Sequence, residues 1–188
     1  MKKVLLIVIG TMMAVMSTQA QKQPAGMRME VAEAETDKSE YSIFTYKDTD
    51  DDDSFGYYLS LGRVTKILGA IRDDITDMSF DAIKETCICL GTTCDEAFAT
   101  LDTMLDLLDK DVETTMEFQG RAATGSDRLG DPNTSLCTVK KKALGGKRLQ
   151  FLFTSGKRQA EAYLTKSIIK ELRMELKMDK RLHPKQHR

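Results

Sequence analysis

The segment SLCTVKKKALGGKRLQFLFTSGKRQAEAYL, residues 135–164, decides the fold. Gly145-Gly146 is a hairpin turn signal, and Ser155–Arg158 is a second tight connection. Between the two turns apolar and polar side chains alternate, which is typical of a strand with one buried face. The residues expected on that face are Leu149, Phe151 and Phe153. The segment therefore predicts three antiparallel strands joined as a meander.

Three helices are predicted from apolar residues that recur at helical spacing. The first covers Leu61–Ile75, the second begins near Asp95 with Thr93 or Asp95 as its cap, and the third runs from Thr165 to about Lys180. The expected apolar stripes are Val64, Ile67, Leu68, Ile71 and Ile75 in the first, Phe98, Leu101, Leu105, Leu108 and Val112 in the second, and Ile169, Leu172 and Leu176 in the third.

Shorter strands are expected at 41–46, within 80–91 and at 114–119, with a long loop at 120–133. Local hydrophobic patterns of period two and period 3.6 occur in the same chain. The prediction is therefore an α+β fold, with one antiparallel β-meander on which about three helices pack.

The amino-terminal residues 1–20 have the layout of a secretory signal peptide. A basic Met1-Lys2-Lys3 start precedes the apolar run Val4–Met16, and small residues end the segment at Ala20. A run of about 13 apolar residues is shorter than the roughly 20 that a membrane-spanning helix needs. Gln21, rather than a cysteine, follows the expected cleavage point. We therefore expect a soluble periplasmic or secreted protein without a membrane anchor.

The rest of the chain is expected to form a single domain with flexible ends. Residues 21–54 are polar and charged and are expected to be a flexible leader, residues 55–182 the α+β domain, and residues 183–188 a basic tail. Asp48, Asp50 and Asp52 alternate as calcium-loop ligands do, but that loop needs glycine at its sixth position and glutamate at its twelfth. Asp53 and Leu59 stand there, so an acidic linker is the expectation.

The two halves of the chain carry opposite charge. Residues 21–117 contain 23 acidic and 9 basic side chains, and residues 118–188 contain 6 acidic and 17 basic ones. Such asymmetry indicates either an anionic partner for the basic half or two halves that pair within one chain or between subunits. The expected binding face consists of Lys140, Lys141, Lys142, Lys147, Arg148, Lys157, Arg158, Lys166, Lys170, Arg173 and Lys177.

The charges of the third helix point to a partner surface. One flank carries lysines and arginine and the other carries acids, so the stabilising acid–base pairs four residues apart are missing. The compensating charges must come from a ligand or from the acidic edge of the second helix. That edge is formed by Asp95, Asp102, Asp106 and Asp109.

Four cysteines, Cys87, Cys89, Cys94 and Cys137, would meet oxidising conditions outside the cytosol. Neighbours at i and i+2 of a strand do not meet disulfide geometry. Two pairings remain open: Cys89–Cys94 with Cys87–Cys137, or Cys87–Cys94 with Cys89–Cys137. Buried free thiols are the second expectation. A zinc site or a redox centre is disfavoured because Cys137 stands alone and Cys-x-x-Cys is absent.

The sequence offers no catalytic signature. His183 and His187 lie in the predicted tail with Pro184 between them, and neither a nucleophile motif nor a phosphate-binding loop occurs. Few aromatic side chains accompany the basic clusters, so sequence-specific nucleic-acid binding is not expected. We predict a protein that is not an enzyme and that needs no metal or cofactor.

Four stretches, Thr18–Gln21, Gly56–Gly62, Lys84–Gly91 and Leu144–Arg158, resemble small exported proteins of Bacteroidota, some of them associated with conjugative or mobile elements. The resemblance implies a compartment and a lineage and carries no site residues. The preferred function is a non-enzymatic exported accessory or binding protein whose basic face contacts an acidic protein or an anionic envelope polymer. The alternatives are an assembly subunit that pairs through its complementary halves, as a homo-oligomer, and a small hydrolase.

Overall fold

The computed structural model describes residues 26–36, 39–48, 55–63, 67–68, 85–123, 129–130, 132–143, 145–155 and 158–187. Within these ranges the chain forms one antiparallel sheet of nine strands and two helices, which confirms the α+β class. The elements are β1 (Gly26–Thr36), β2 (Ser39–Asp48), β3 (Gly56–Arg63), β4 (Ile67–Leu68), β5 (Glu85–Gly91), α1 (Cys94–Asp109), β6 (Thr115–Ala123), β7 (Pro132–Lys141), β8 (Lys147–Ser155), β9 (Arg158–Thr165) and α2 (Lys166–Leu182). The strand order is β1-β2-β3-β5-β6-β7-β8-β9-β4.

The predicted meander is confirmed as β7, β8 and β9. The β7–β8 hairpin turns at Gly145 and Gly146, whose φ values are +90° and +79°, a region that glycine adopts at little cost. The three alternating residues of β8 are completely buried, as predicted: Leu149, Phe151 and Phe153. The inward face of β8 therefore belongs to the same hydrophobic core as the buried residues of both helices.

The expected leader at 21–54 is wrong where the structure describes it. β1 pairs with β2 from Gly26–Asp48 to Thr36–Ser39, and β2 pairs in turn with β3. The inward residues of β1 include Ala32 and Ala34, between exposed glutamates, so the alternation carries little hydrophobic signal. The expected strand at 41–46 lies inside β2 and contains the buried Ile43 and Phe44.

Other sequence predictions also change. The first predicted helix is wrong at Leu61–Arg63, which ends β3, and at Ile67–Leu68, which forms β4 and pairs with β9. The predicted long loop at 120–133 is wrong at Gly120–Ala123, which completes β6, and at Pro132 and Asn133, which begin β7. The signal peptide at 1–20 and the acidic run at 49–54 lie outside the described residues.

The sheet curves around α2. Strands from both ends of the strand order contact this helix: β1 and β2 from one end and β9 from the other. The Tyr41 hydroxyl of β2 donates to the Tyr163 carbonyl oxygen of β9 at 3.1 Å, which links the two ends directly. The predicted stripe of α2 is confirmed, and its residues Ile169, Leu172 and Leu176 are fully buried. Burial of each such side chain contributes roughly 1.5–3 kcal/mol.

Helix α1 begins with the predicted cap. The Thr93 hydroxyl accepts from the Glu96 amide, and the Glu96 carboxylate accepts from the Thr93 amide, forming a capping box. The preceding Gly91 has φ +132°, and a Cβ there would approach the Glu96 Cβ to 2.4 Å. The buried stripe of α1 is rotated from the prediction and contains Cys94, Ala97, Leu101, Met104, Leu107 and Leu108.

Neither α1 nor α2 is long and apolar enough to cross a membrane.

Candidate functional site

An ion-pair ladder joins α1 to α2. Asp102 binds Arg173 through two contacts, Oδ1 to Nε at 2.7 Å and Oδ2 to Nη2 at 3.0 Å. The Asp109 Oδ1 accepts from the Lys166 Nζ at 2.7 Å, and Asp95 pairs with Lys180 near the other end. The three acids, Asp95, Asp102 and Asp109, are spaced by seven residues, about two helical turns, and so are the three bases, Lys166, Arg173 and Lys180. The first acid pairs with the last base and the last acid with the first base. The helices therefore run antiparallel, with one charged edge against the other.

This ladder supplies the compensating charges that the third predicted helix lacked. Lys166 and Arg173, both predicted to bind a partner, pair with α1 of the same chain. Lys170 and Lys177 are exposed and make no ion pair with another residue that the structure describes. The basic flank of α2 is therefore partly neutralised from within.

The lysines and arginine of the hairpin are also partly engaged. Lys140 Nζ donates to Glu113 Oε2 at 2.7 Å, and Lys147 Nζ donates to the Lys110 carbonyl oxygen. The Arg148 guanidinium lies 3.9 Å from the centroid of the Tyr163 ring, a cation–π contact. Lys157 and the side chain of Arg158 lie outside the described part of the chain.

A basic groove of about 430 Å³ opens where α2 begins. Lys142 and Lys147 reach it from the β7–β8 hairpin, and Lys166 reaches it from the first turn of α2. The Lys166 hydrogen bond holds the pKa of Asp109 below its usual range, with smaller contributions from Lys147 and Lys170. The Asp109 carboxylate therefore interacts with the positive charge of three lysines, Lys166, Lys147 and Lys170.

The start of α2 adds to this potential. Its first turn contains no acidic residue, and the Thr165 hydroxyl bonds to the Ser167 hydroxyl at 2.9 Å instead of capping a backbone N–H of the helix. The free backbone N–H groups and the helix dipole at an amino terminus both favour an anion. Sequence analysis identified the lysines of this groove but could not show that they converge.

An acidic groove, also of about 430 Å³, lies beside the β1–β2 hairpin. A side-chain hydrogen bond with Glu30, and then the charge of Glu30, raise the pKa of Glu33. The acidic residues that line the groove are Glu30, Glu33, Glu35, Glu40 and Glu171.

All four cysteines are free thiols in the structure, so the preferred disulfide prediction is wrong and the second expectation applies. Cys87 and Cys89 lie on the outer face of the sheet with Phe44 and Tyr58, whereas Cys94 and Cys137 lie in the core on the helix side. Both predicted pairings would join sulfurs on opposite faces of the sheet. Burial raises the pKa of Cys87 and raises the pKa of Cys137 to about 12.

The expected flexible tail at 183–188 is wrong at His187, which is docked, whereas residues 183–186 are exposed and residue 188 lies outside the described part of the chain. The His187 side chain is 1% exposed, and its Nε2 donates to Asp179 Oδ2 at 2.7 Å. In the neutral ring Nδ1 then accepts from the Tyr57 hydroxyl at 2.9 Å. The two rings are stacked at 6.0 Å, and burial raises the pKa of Tyr57 to about 12.

His183 binds the second oxygen of the same carboxylate, Asp179 Oδ1, at 2.8 Å. Both histidines therefore bind the Asp179 carboxylate of α2, which connects the tail to that helix. Among the described residues, no group of three or more His, Cys, Asp or Glu side chains is placed to hold a metal ion.

Comparisons with protein-family models, with curated protein sequences and with solved structures found no match. The resemblance to small exported proteins of Bacteroidota therefore stays a prediction.

We expect measurable coupling between Asp102 and Arg173. In a double-mutant cycle with Asp102→Ala and Arg173→Ala, urea unfolding at low salt should give about 0.2–1 kcal/mol of coupling that falls in high salt, because the pair is partly exposed. The control cycle, Asp106→Ala with Lys177→Ala, should give coupling near zero. Equal coupling in the two cycles would contradict the ladder.

We also expect stability to fall at alkaline pH. Buried Cys87 and Cys137 keep their protons to a higher pH than thiols of the unfolded chain, which titrate near pH 8.5–9. The unfolded chain therefore binds fewer protons, and the free energy of unfolding falls from about pH 8.5 upward, by at most about 1.4 kcal/mol per pH unit for each thiol. Urea midpoints between pH 8 and 10 measure this slope. Cys137→Ala should lower the slope; an unchanged slope would refute the assignment.

Proposed function

We propose that this protein is a non-enzymatic, exported binding protein, periplasmic or secreted, that contacts an acidic protein or an anionic envelope polymer through the basic groove. The observation that carries the proposal is the convergence of Lys142, Lys147 and Lys166 on the first turn of α2. Three ammonium groups and a helix amino terminus act on the same space, and Asp109 is the one acid among the described residues that line it.

The internal ion pairs narrow the surface that a partner would use. Arg173, Lys140 and Lys166 are held by Asp102, Glu113 and Asp109, so a partner that recruits any of the three must compete with an existing ion pair. Lys142 and Lys170 have no such contact with other described residues and are exposed. The proposed site is therefore the basic groove with Lys170 at its margin.

The buried thiols support a role without catalysis. A cysteine nucleophile needs an accessible thiolate, and three of the four cysteines are at most 1% exposed. His187 is enclosed by Asp179 and Tyr57 rather than open to a substrate.

The alternative is head-to-tail pairing of subunits, with the acidic groove of one chain receiving the basic groove of the next. The two grooves have similar volume and opposite charge. A pairing of this kind is heterologous, so it closes into a ring or grows into a filament.

Binding to two immobilised probes, poly-glutamate and lipopolysaccharide, tests the proposal. We expect the mature protein to bind at least one of them at low salt and to lose affinity steeply as salt rises. The double variant Lys142→Glu, Lys170→Glu should weaken binding at least tenfold. The matched control Lys177→Glu, on the same helix, should change it less than threefold.

Three results would contradict the proposed groove. They are the absence of binding to either probe, binding that the double variant leaves intact, and an equal loss in Lys177→Glu, which would indicate a diffuse basic surface. Light scattering distinguishes the proposed groove from the head-to-tail alternative. Subunit pairing predicts an oligomer at low salt, and the double variant should then be a monomer.

A further inference from the structure

Strands β5 and β6 are neighbours in the sheet but pair along only part of their length. Their register runs from Glu85–Ala123 to Ile88–Gly120 and ends there. Beyond that point Cys89 and Gly91 pair with β3, and Thr115–Gln119 pairs with β7. The two strands diverge, so two backbone edges face each other across an opening inside the sheet.

The opening has a volume of about 450 Å³. One wall is Cys89–Gly91 of β5, and the other is Met116–Gln119 of β6. Residues of both sheet faces line it: Leu90 and Phe118 belong to the core on the helix side, whereas Cys89 packs on the outer face. The opening therefore passes between the strands instead of lying on one face.

Helix α1 forms the inner boundary of the opening. Thr100 and Thr103 line it, and the Thr100 hydroxyl donates to the Leu90 carbonyl oxygen at 2.8 Å. One carbonyl of β5 thus bonds to α1 in place of a strand. This contact ties β5 to α1 beyond the point where the pairing of β5 with β6 ends.

The lining defines the chemistry of an occupant. Its charged residues, Glu96 and Glu117, are both acidic, and no lysine, arginine or histidine occurs among the described residues that line it. The apolar part consists of Leu90, Met116 and Phe118, and Met116 is 38% exposed. Alternation along β6 places Phe118 inward and Glu117 outward.

We propose that the opening between β5 and β6 binds an extended segment of a partner protein, in which apolar side chains alternate with lysine or arginine, as an added strand. Facing strand edges offer main-chain hydrogen bonds to an extended peptide, the mode known as β-augmentation. The two walls, residues 89–91 and 116–119, extend about 10 and 14 Å at the usual rise of a strand, enough for a segment of about three to four residues between them. This proposal is independent of the basic groove.

The apolar positions of the segment would face Leu90, Phe118 and α1. The basic positions would face Glu117 on the outer side. The peptide backbone would complete the β5 and β6 edges, so affinity depends both on its N–H groups and on its alternation of side chains.

The test uses synthetic eight-residue peptides with blocked ends, one of alternating valine and lysine and one of alternating valine and glutamate. Titration calorimetry should detect the valine–lysine peptide and at least tenfold weaker binding of the valine–glutamate peptide. Glu117→Lys should weaken the first interaction at least fivefold. The matched control Glu175→Lys, an exposed acid on α2, should change it less than twofold.

Backbone amide exchange locates the peptide. Protection gained at 89–91 and 115–119 supports the proposal, and protection gained instead at the β1–β2 hairpin would place the peptide in the acidic groove and overturn it. The proposal also fails if neither peptide binds, if amides of the opening are protected fully before peptide is added, or if light scattering shows a dimer whose contact is lost in Glu117→Lys. The last two results would assign the opening to another segment of this chain or to a second copy.

Discussion

Helix α2 is contacted on its apolar side by strands from both ends of the sheet and on its basic flank by helix α1, and the curvature of the sheet around α2 accompanies these contacts. Its apolar stripe is enclosed by β1, β2 and β9, and its basic flank lies against the acidic edge of α1. Partly exposed ion pairs each contribute only about 0–1 kcal/mol, so apolar burial supplies most of the stability. The ladder from Asp95–Lys180 to Asp109–Lys166 instead favours one antiparallel register between the helices.

This arrangement changes what the charge asymmetry of the sequence means. Four cations of the basic half, Lys140, Lys166, Arg173 and Lys180, pair with acids of the acidic half of the same chain. Lys142 and Lys147 of the β7–β8 hairpin lie beside Lys166 at the amino terminus of α2 and form the basic groove there. The same packing fixes α1 beneath the separated parts of β5 and β6. Both proposed binding surfaces thus depend on where the two helices lie.

Local sequence signals made part of the fold predictable. The meander follows from Gly145-Gly146 and from alternation in β8, and the start of α1 follows from Thr93 and its capping partner Glu96. β1 was not predicted because two of its buried side chains, Ala32 and Ala34, are small and exposed glutamates flank them in the sequence. The ladder had a readable signal, because Asp95, Asp102 and Asp109 share the seven-residue spacing of Lys166, Arg173 and Lys180. The docking of His187 had no signal in the sequence, because its partner Tyr57 is 130 residues away in the chain.

The enclosure of α2 by both ends of the sheet is tested most directly by native-state hydrogen exchange. The account predicts that buried amides of β1, β2 and residues 169–176 exchange only through global unfolding, with the same free energy as the amides of β8. The opposite result would be rapid exchange throughout 26–48 while the meander stays protected. That outcome would show that the amino-terminal strands are not part of the folded unit and that α2 is covered from one side only.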